Sequence, residues 1–169
     1  MGVTIHFEGK LKGEAAYQGL ISTVSSFAKT ENWPTKVIES AEVTLLRVSD
    51  EQDWDYTGPV KGIVLYIHED CDTVRLEFDR DLYIQEFTKT QFAGVECHLK
   101  VVDLLRTIQP FFRELKVEDE GEFWETNDQA ILVAHMDRTR KVIEEELRKN
   151  PSAQMKVKSP DGKIMDLIT

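Results

Sequence analysis

The chain has 169 residues, of which 41% are hydrophobic and 31% are charged, and this is enough apolar material for the core of one domain. Its 21 basic and 31 acidic residues give a formal net charge of −10, which repels nucleic-acid backbones and anionic membrane surfaces. We therefore expect no nucleic-acid partner and no membrane association. An acidic surface attracts a basic protein partner, although such a charge also serves solubility alone.

The start of the chain and its cysteines indicate a compartment. No apolar run approaches the roughly 20 residues that a membrane helix needs, and the first ten residues lack the basic start and apolar stretch of a secretory signal. The two cysteines, Cys71 and Cys97, have neither the CxxC spacing of a zinc site nor the number that a disulfide framework requires. We therefore expect a soluble, cytoplasmic protein that holds no metal ion and no cofactor.

The first third of the chain predicts two strands around a helix. Residues 4–11 alternate between apolar and polar side chains, which is typical of a half-buried strand. Apolar residues at helical spacing predict a helix over residues 14–29 that ends before Pro34, because proline disfavours the helical conformation in the residue before it. The β-rich segment 37–48 predicts a long strand with a bulge near Ala41.

The middle of the chain predicts a series of strands. Residues 49–59 have the Asp, Gly and Pro content of a loop, and the continuous apolar run 62–67 is typical of a central strand buried on both faces. Residues 74–79 alternate, which predicts a strand with one buried face, joined to the preceding strand as a hairpin. A further short strand is expected over residues 82–87.

The last third predicts two helices, a short strand between them and a terminal hairpin. Apolar residues at helical spacing predict a helix over residues 94–112, and a short strand is expected at residues 115–118. A final helix begins near the cap-forming residues 126–128 and ends before Asn150. Two strand-forming arms around a Pro-Asp-Gly turn predict a hairpin over residues 155–168.

This order of elements predicts an α+β fold. We expect a mixed or antiparallel sheet with helices packed mainly on one face, and a ferredoxin-like βαββαβ arrangement with an inserted strand fits the order. Residues 1–150 are expected to form a single α+β domain, and residues 151–169 a C-terminal β-hairpin appendage. Such a hairpin can pair with the open sheet edge of a second copy, so it offers a route to a homo-oligomer.

Polar residues gather directly before the second helix, at Lys89, Thr90 and Gln91. The free amides and positive dipole end of a helix N-terminus can hold an anion, and these side chains would supplement such a pocket. The simpler alternative is that Thr88 or Thr90 caps the helix. His98 follows on or beside the apolar face, where it is either an acid–base group or metal ligand, or a hydrogen-bonded core histidine.

A second unusual stretch, residues 118–126, alternates acidic and aromatic side chains around a single glycine. Several carboxylates in one turn can hold a hard cation, but their spacing does not match an EF-hand loop. The alternative is a solvated acidic turn in which Phe123 and Trp124 are packing anchors. The loop that contains Trp54 and Tyr56 raises a similar choice, because its aromatics either contact a partner or cover the sheet.

The two stretches KTQFAGVECH and DEGEFWETND resemble those of a family of small bacterial proteins with a KTxFA…H helix start and a later WET motif. The resemblance covers about residues 2–128, and the final helix and hairpin lie outside it. It implies no activity. It does imply that a set of residues belongs together, namely Lys89, Thr90, Phe92, His98, Trp124, Glu125 and Thr126.

Two functions remain open at this point. The chain has no Walker loop, GxGxxG, GxSxG or HExxH motif, so the first hypothesis is an acidic binding or protein-interaction domain with Trp54, Tyr56 and the 118–126 turn as contacts. The alternative is a small ligand-binding protein or hydrolase-like enzyme with a site between segments 88–98 and 118–126. In that site His98 would be the acid–base group, Lys89 would hold an anion, and Glu125 or Asp119 would be the carboxylate partner. Whether the protein is an enzyme stays open.

Overall fold

The computed structural model describes residues 2–49 and 52–168, and it has an α+β fold built on antiparallel sheets. A short 3-10 turn at residues 109–111 follows the second helix. The strands and helices, in chain order, are β1 Thr4–Leu11, α1 Glu14–Glu31, β2 Thr35–Leu45, β3 Val48–Ser49, β4 Gln52–Asp53, β5 Tyr56–Leu65, β6 Val74–Phe78, β7 Tyr83–Lys89, α2 Val95–Ile108, β8 Phe112–Asp119, α3 Phe123–Thr126, α4 Gln129–Lys149, β9 Gln154–Lys158 and β10 Ile164–Ile168.

The first sheet has the strand order β7–β1–β8, and both pairings are antiparallel. Along β1 the side chains of Ile5, Phe7 and Leu11 are buried, whereas His6 and Lys10 on the other face are exposed. The half-buried strand that the alternation of residues 4–11 predicts is therefore confirmed. The buried face carries helices α1 and α2, since their apolar residues join one core cluster with those of β1.

The second sheet has the order β2–β5–β6, again antiparallel throughout. Its middle strand contains Ile63 and Leu65, both fully buried, which confirms the predicted central strand as far as Leu65. The strand ends there, and Tyr66 of the predicted buried run is 46% exposed. The register between β2 and β5 shifts between Ser40 and Val43, which confirms the bulge expected near Ala41.

The predicted loop over residues 49–59 is wrong in its second half. Strand β5 begins at Tyr56, which pairs with Leu45, and the hydroxyls of Thr44 and Thr57 lie 2.9 Å apart across the two strands. Residues 56–59 have the composition of a loop, but their pairing with β2 outweighs it, because hydrogen bonds to β2 satisfy the backbone N–H and C=O groups of an extended chain. Asp50 and Glu51 of the predicted loop lie outside the described residues.

Helix α2 ends earlier than its apolar pattern predicts. It stops at Ile108, and Phe112 belongs to β8 rather than to the helix. Pro110 lacks the backbone N–H that would continue the helical hydrogen bonds, so the chain passes through the 3-10 turn and becomes extended. Strand β8 is consequently longer than the short strand predicted at residues 115–118.

Strands β7 and β8 are joined by α2 and lie on either side of β1. This is the split β-α-β arrangement that a ferredoxin-like fold contains. Between α1 and β7 the chain adds the whole β2–β5–β6 sheet, which exceeds the single inserted strand of that alternative. Strand β6 is followed directly by β7 through the turn at residues 79–82, where Asp79 N–H donates to the Tyr83 carbonyl.

Helix α4 has the N-cap that the sequence predicts. Asp128 accepts a hydrogen bond from Ala130 N–H at 2.9 Å, and Leu132 and Met136 of the helix pack with Val3 in a small second cluster. The terminal hairpin is likewise confirmed, with β9 and β10 paired antiparallel. Across the described part of the chain, every helix is too short or too polar to span a membrane.

The terminal hairpin is bound to the rest of the chain by a buried carboxylate. Asp72 accepts hydrogen bonds from Ile164 N–H at 2.6 Å and from Lys89 N–H at 2.8 Å. Thr73 N–H donates to the Gly162 carbonyl at 2.9 Å, and Lys158 Nζ donates to the Cys71 carbonyl at 3.0 Å. Pairing of the hairpin with a second copy stays a prediction.

Replacing Asp72 with asparagine should weaken the attachment of the hairpin. The new amide keeps one acceptor oxygen but places an NH2 group against one of the two backbone N–H donors, so we expect Asp72→Asn to lower the free energy of unfolding by about 1–3 kcal/mol. The measurement is denaturant unfolding, with hydrogen exchange at the Ile164 amide as a local readout.

The matched control is Asp70→Asn. Asp70 lies two residues away and makes only a partly exposed ion pair with Lys156, at 3.4 Å, so its loss should change stability by less than about 1 kcal/mol. Equal effects of the two substitutions would show that the buried hydrogen bonds of Asp72 do not hold the hairpin.

Candidate functional site

His98 is at the centre of a buried hydrogen-bonded group. It lies in the first turn of α2, and its side chain is fully enclosed. Its Nδ1 atom is 2.7 Å from Thr90 Oγ1, just beyond β7, and its Nε2 atom is 3.0 Å from Oδ2 of Asp119, the last residue of β8. We call Thr90, His98 and Asp119 the latch.

The Asp119 carboxylate accepts hydrogen bonds from three backbone N–H groups of the residues that follow it. Its Oδ1 atom accepts Gly121 N–H at 2.7 Å, and its Oδ2 atom accepts Phe123 N–H at 3.0 Å and Trp124 N–H at 2.9 Å. The carboxylate therefore occupies the N-terminal end of the short helix α3, where free backbone amides favour a negative charge. These bonds account for Asp119 among the acidic residues of the 118–126 turn, and Gly121 is required because a Cβ there would lie 2.5 Å from Leu132 Cδ1.

The hydrogen bonds determine the charge state of Asp119. Burial acts to raise the pKa of this carboxyl, but the hydrogen bond and charge of His98 and the backbone donors of Trp124 and Gly121 outweigh burial and lower the pKa below its ordinary value. Because the ionised carboxylate only accepts, His98 Nε2 carries a hydrogen and donates it. Thr90 Oγ1, 2.7 Å from His98 Nδ1, also donates to the Val3 carbonyl at 3.4 Å.

The latch joins the end of β7, the start of α2, the end of β8 and the turn before α3. The two segments that the alternative function requires, 88–98 and 118–126, do meet at this point. All three latch side chains are buried, however, and an acid–base group must come within about 3 Å of its substrate. The latch therefore connects strands and helices, and His98 is a hydrogen-bonded core histidine, which is the second of the two roles considered from the sequence.

Lys89 and Gln91 bind the terminal hairpin. Lys89 Nζ donates to the Ile164 carbonyl at 3.0 Å and pairs with Asp166 Oδ1 at 2.8 Å. Gln91 Nε2 also donates to Asp166, and its Oε1 accepts Val3 N–H at 2.7 Å. These contacts use the groups that would otherwise line an anion pocket.

The predicted threonine cap is wrong. The N-cap position of α2 is Gly94, which makes no side-chain cap, because Thr90 directs its hydroxyl to His98 instead.

The remaining residues of the WET motif have separate roles. Trp124 is half-buried, and the Arg106 guanidinium lies 5.6 Å from its ring centre and donates to its carbonyl at 3.3 Å. Thr126 Oγ1 donates to the Glu122 carbonyl at 2.6 Å, while Glu125 is exposed. Only Trp124, through its backbone amide, contacts the latch.

Trp54 and Tyr56 surround an arginine that the sequence reasoning missed. Arg47 is 3% exposed, and its guanidinium lies 5.0–5.4 Å from the ring centres of Trp54, Tyr56 and Tyr83. Its Nη1 atom donates to Asp79 Oδ2 at 2.8 Å. The available signal was a single charge in an apolar run, Leu45-Leu46-Arg47-Val48, which places the charge on the face opposite its neighbours. We call Arg47 and these partners the arginine anchor.

A surface cleft of ≈440 Å³ lies between the N-terminus of α1, the bulge of β2 and the β6–β7 turn. Its lining includes Glu14 and Lys61, which form an ion pair at 2.7 Å, and Arg80. The charges at its wall are thus already paired in part. Within residues 2–49 and 52–168, no three histidine, cysteine, aspartate or glutamate side chains lie close enough together to hold a metal ion.

No protein-family model, curated protein or solved structure matches this chain. The resemblance to the family with KTxFA…H and WET motifs therefore stays a prediction. The function has to be argued from the geometry of the molecule and its surface.

Replacing Asp119 with asparagine should disrupt the latch. The amide keeps one acceptor oxygen but places an NH2 group where the other was, so at least one of the four donors faces a donor and the negative charge beside His98 is lost. We expect Asp119→Asn to lower the free energy of unfolding by about 3–5 kcal/mol. Glu118→Gln is the matched control, since Glu118 is adjacent and exposed, and surface substitutions change stability by less than about 0.5 kcal/mol. Similar losses in both variants would contradict a special role for Asp119.

The latch should also make stability depend on pH in the acidic range. Since the pKa of Asp119 is lowered in the folded protein, its contribution is fully present above the ordinary aspartate pKa of about 3.9 and is lost as pH falls through the folded value. We expect the stability difference between wild type and Asp119→Asn to be constant near neutral pH and to shrink below about pH 4. Denaturant unfolding at a series of pH values measures this difference, and a difference that grows on acidification would refute the assignment.

Proposed function

We propose that this protein is a cytoplasmic protein-interaction domain that binds a basic partner through an exposed apolar surface beside the arginine anchor. The observation that carries the proposal is the exposure of three large apolar side chains in one segment. Leu46 is 81% exposed, Val48 60% and Trp54 41%. We call these three residues the apolar rim.

The arginine anchor supports this proposal because it holds the apolar rim in place. Arg47 is buried, whereas Leu46 and Val48 on either side of it are exposed. Gln85 Nε2 donates to the Val48 carbonyl at 2.8 Å, and Gln85 Oε1 accepts Val48 N–H at 2.9 Å. A segment ordered before binding loses less conformational entropy when a partner arrives.

The charge of the surroundings indicates the chemistry of the partner. Two exposed acids, Asp55 and Asp81, and one exposed cation, Arg80 over the Tyr56 ring, lie near the anchor, and the whole chain carries a net charge of −10. Exposed apolar and aromatic residues within an acidic surface suit a partner that combines apolar side chains with lysine or arginine. Electrostatic attraction of this kind speeds association and weakens as salt increases.

The alternative function, a small ligand-binding protein or hydrolase-like enzyme at segments 88–98 and 118–126, has less support. His98 and Asp119 are enclosed, and Lys89 and Gln91 are engaged with the terminal hairpin. A substrate would have to open the latch before reaching the imidazole. The 118–126 turn also supports partner binding less than the apolar rim does, because Arg106 covers Trp124.

Removing the apolar rim should abolish partner binding. We expect immobilised wild-type protein to retain one basic protein, at about equimolar amounts, from an extract of its own cells. The variant Leu46→Ser/Val48→Ser/Trp54→Ser should not retain this protein, because a few contact residues contribute most of the affinity of an interface. With the purified partner, the dissociation constant should rise by at least about tenfold in the variant and should also rise with salt.

Three exposed apolar residues elsewhere provide the matched control, Val133→Ser/Met155→Ser/Met165→Ser, and this variant should still bind the partner. Because Trp54 also contacts the arginine anchor, Leu46→Ser/Val48→Ser serves as a second variant that leaves the anchor intact. Absence of any equimolar partner, or equal binding by the rim and control variants, would exclude the proposed surface.

A further inference from the structure

Strand β8 is an edge of the first sheet, because it pairs with β1 on one side only. Glu120 N–H donates to the Thr4 carbonyl at 3.0 Å, in the register that pairs β1 with β8. Since hydrogen bonding alternates along an antiparallel strand, Arg113, Leu115 and Val117 direct their backbone N–H and C=O groups away from β1. Within residues 2–49 and 52–168, no other strand pairs with these outward groups.

Two other sheet edges are covered or irregular. Strand β7, at the opposite edge of the first sheet, lies beside the terminal hairpin, and Lys163 Nζ donates to the Phe87 carbonyl. Strand β2, at an edge of the second sheet, contains the bulge between Ser40 and Val43. A bulge twists an edge and interrupts pairing with a further strand. The register of β8 against β1 is regular from Glu114 to Asp119, so this edge can accept another strand.

The charges of β8 alternate in sign along the strand. Four of its eight residues are charged and exposed, namely Arg113, Glu114, Lys116 and Glu118. In the part of the chain that the structure describes, none of the four has an ion-pair partner. Charges on an edge strand oppose pairing with a second chain where like charges meet, and favour it where opposite charges meet. The register of pairing therefore decides their effect.

Antiparallel pairing of β8 with the β8 of a second copy has one register that suits both the backbone and the charges. With Leu115 on the two-fold axis, Glu114 of each copy faces Lys116 of the other. Arg113 then faces Val117, so the outward N–H and C=O groups of Arg113, Leu115 and Val117 all find partners. An axis at Glu114 or at Lys116 would place like charges opposite each other, and an axis at Val117 would leave only residues 115–119 paired within the strand.

We propose that two copies of this chain pair through β8 and form a two-fold symmetric dimer whose continuous sheet has three strands from each copy. The occupant of the edge is a second copy because Glu114 and Lys116 complement each other twice across the axis. Val48 is hydrogen-bonded to Gln85 on β7, the strand farthest from β8, so the two apolar rims lie towards opposite ends of this sheet. A dimer can then engage two partner sites at once, a consequence that rests on the proposed function.

The first test is sedimentation equilibrium of the full-length protein over a range of concentrations. The mass of the wild type should rise reversibly towards twice that of one chain. Lys116→Glu places acidic residues opposite each other on both sides of the axis, so its dissociation constant should rise at least about tenfold. Lys10→Glu is the matched control, because Lys10 is exposed on the central strand β1 and the change in net charge is the same. This variant should dimerise within about threefold of the wild type.

Mixing two charge variants tests the register. Lys116→Glu has acidic residues at both facing positions and Glu114→Lys has basic residues at both, so each variant repels itself whereas the two variants complement each other. An equimolar mixture should form heterodimers at least about tenfold more tightly than either variant forms homodimers. Native mass spectrometry with one variant isotopically labelled separates the three species. A mixture without preference for the heterodimer would overturn the proposed register.

Hydrogen exchange at single amides provides a second measurement. The amides of Arg113, Leu115 and Val117 should exchange slowly in concentrated wild type and faster on dilution, whereas those of Glu114 and Lys116, which face β1, should stay slow in both. A wild type that stays monomeric at its highest soluble concentration, or a dimer that leaves the three outward amides unprotected, would overturn the proposal. Neither measurement involves the basic partner, so failure of the dimer and failure of the proposed function are distinguishable.

Discussion

The hydrogen bonds between the Asp119 carboxylate, the His98 imidazole and three backbone amides are the constraint on which this fold depends. A buried carboxylate is strongly destabilising unless donors surround it. Asp119, at the end of β8, meets this need only if α2, the following turn and α3 lie beside it, since each of these three supplies a donor. Thr90 extends the requirement to the end of β7. One buried charge thus sets how four parts of the chain meet.

Two other enclosed charges organise the periphery in the same way. Asp72 binds the backbone of β7 and of β10, which positions the terminal hairpin. Arg47 pairs with Asp79 and stacks among three aromatic rings, and this leaves Leu46 and Val48 on the surface. In each case a buried charged side chain determines the position of a surface segment. The interaction surface that we propose, the apolar rim, is the surface segment beside the buried Arg47.

Much of the local structure could be predicted from the residues. The alternation of residues 4–11, the Asp128 cap of α4 and the Pro-Asp-Gly turn are local signals, and the elements follow them. The predictions failed where distant partners decide, as at Tyr56, which is extended because β2 lies beside it, and at Thr90, which binds His98 rather than capping α2. Arg47 was missed because its aromatic and acidic partners are spread over residues 54–83.

By itself, the sequence determined the acidic charge, the α+β class and most of the helices and strands, since these follow from composition and from the 2- and 3.6-residue periods of strands and helices. The tertiary structure alone decided that His98 is enclosed by Thr90 and Asp119, and that Lys89 and Gln91 bind the hairpin. Periodicity specifies which face of an element is buried. The partner that a buried polar group finds depends on long-range pairing, which no local pattern encodes.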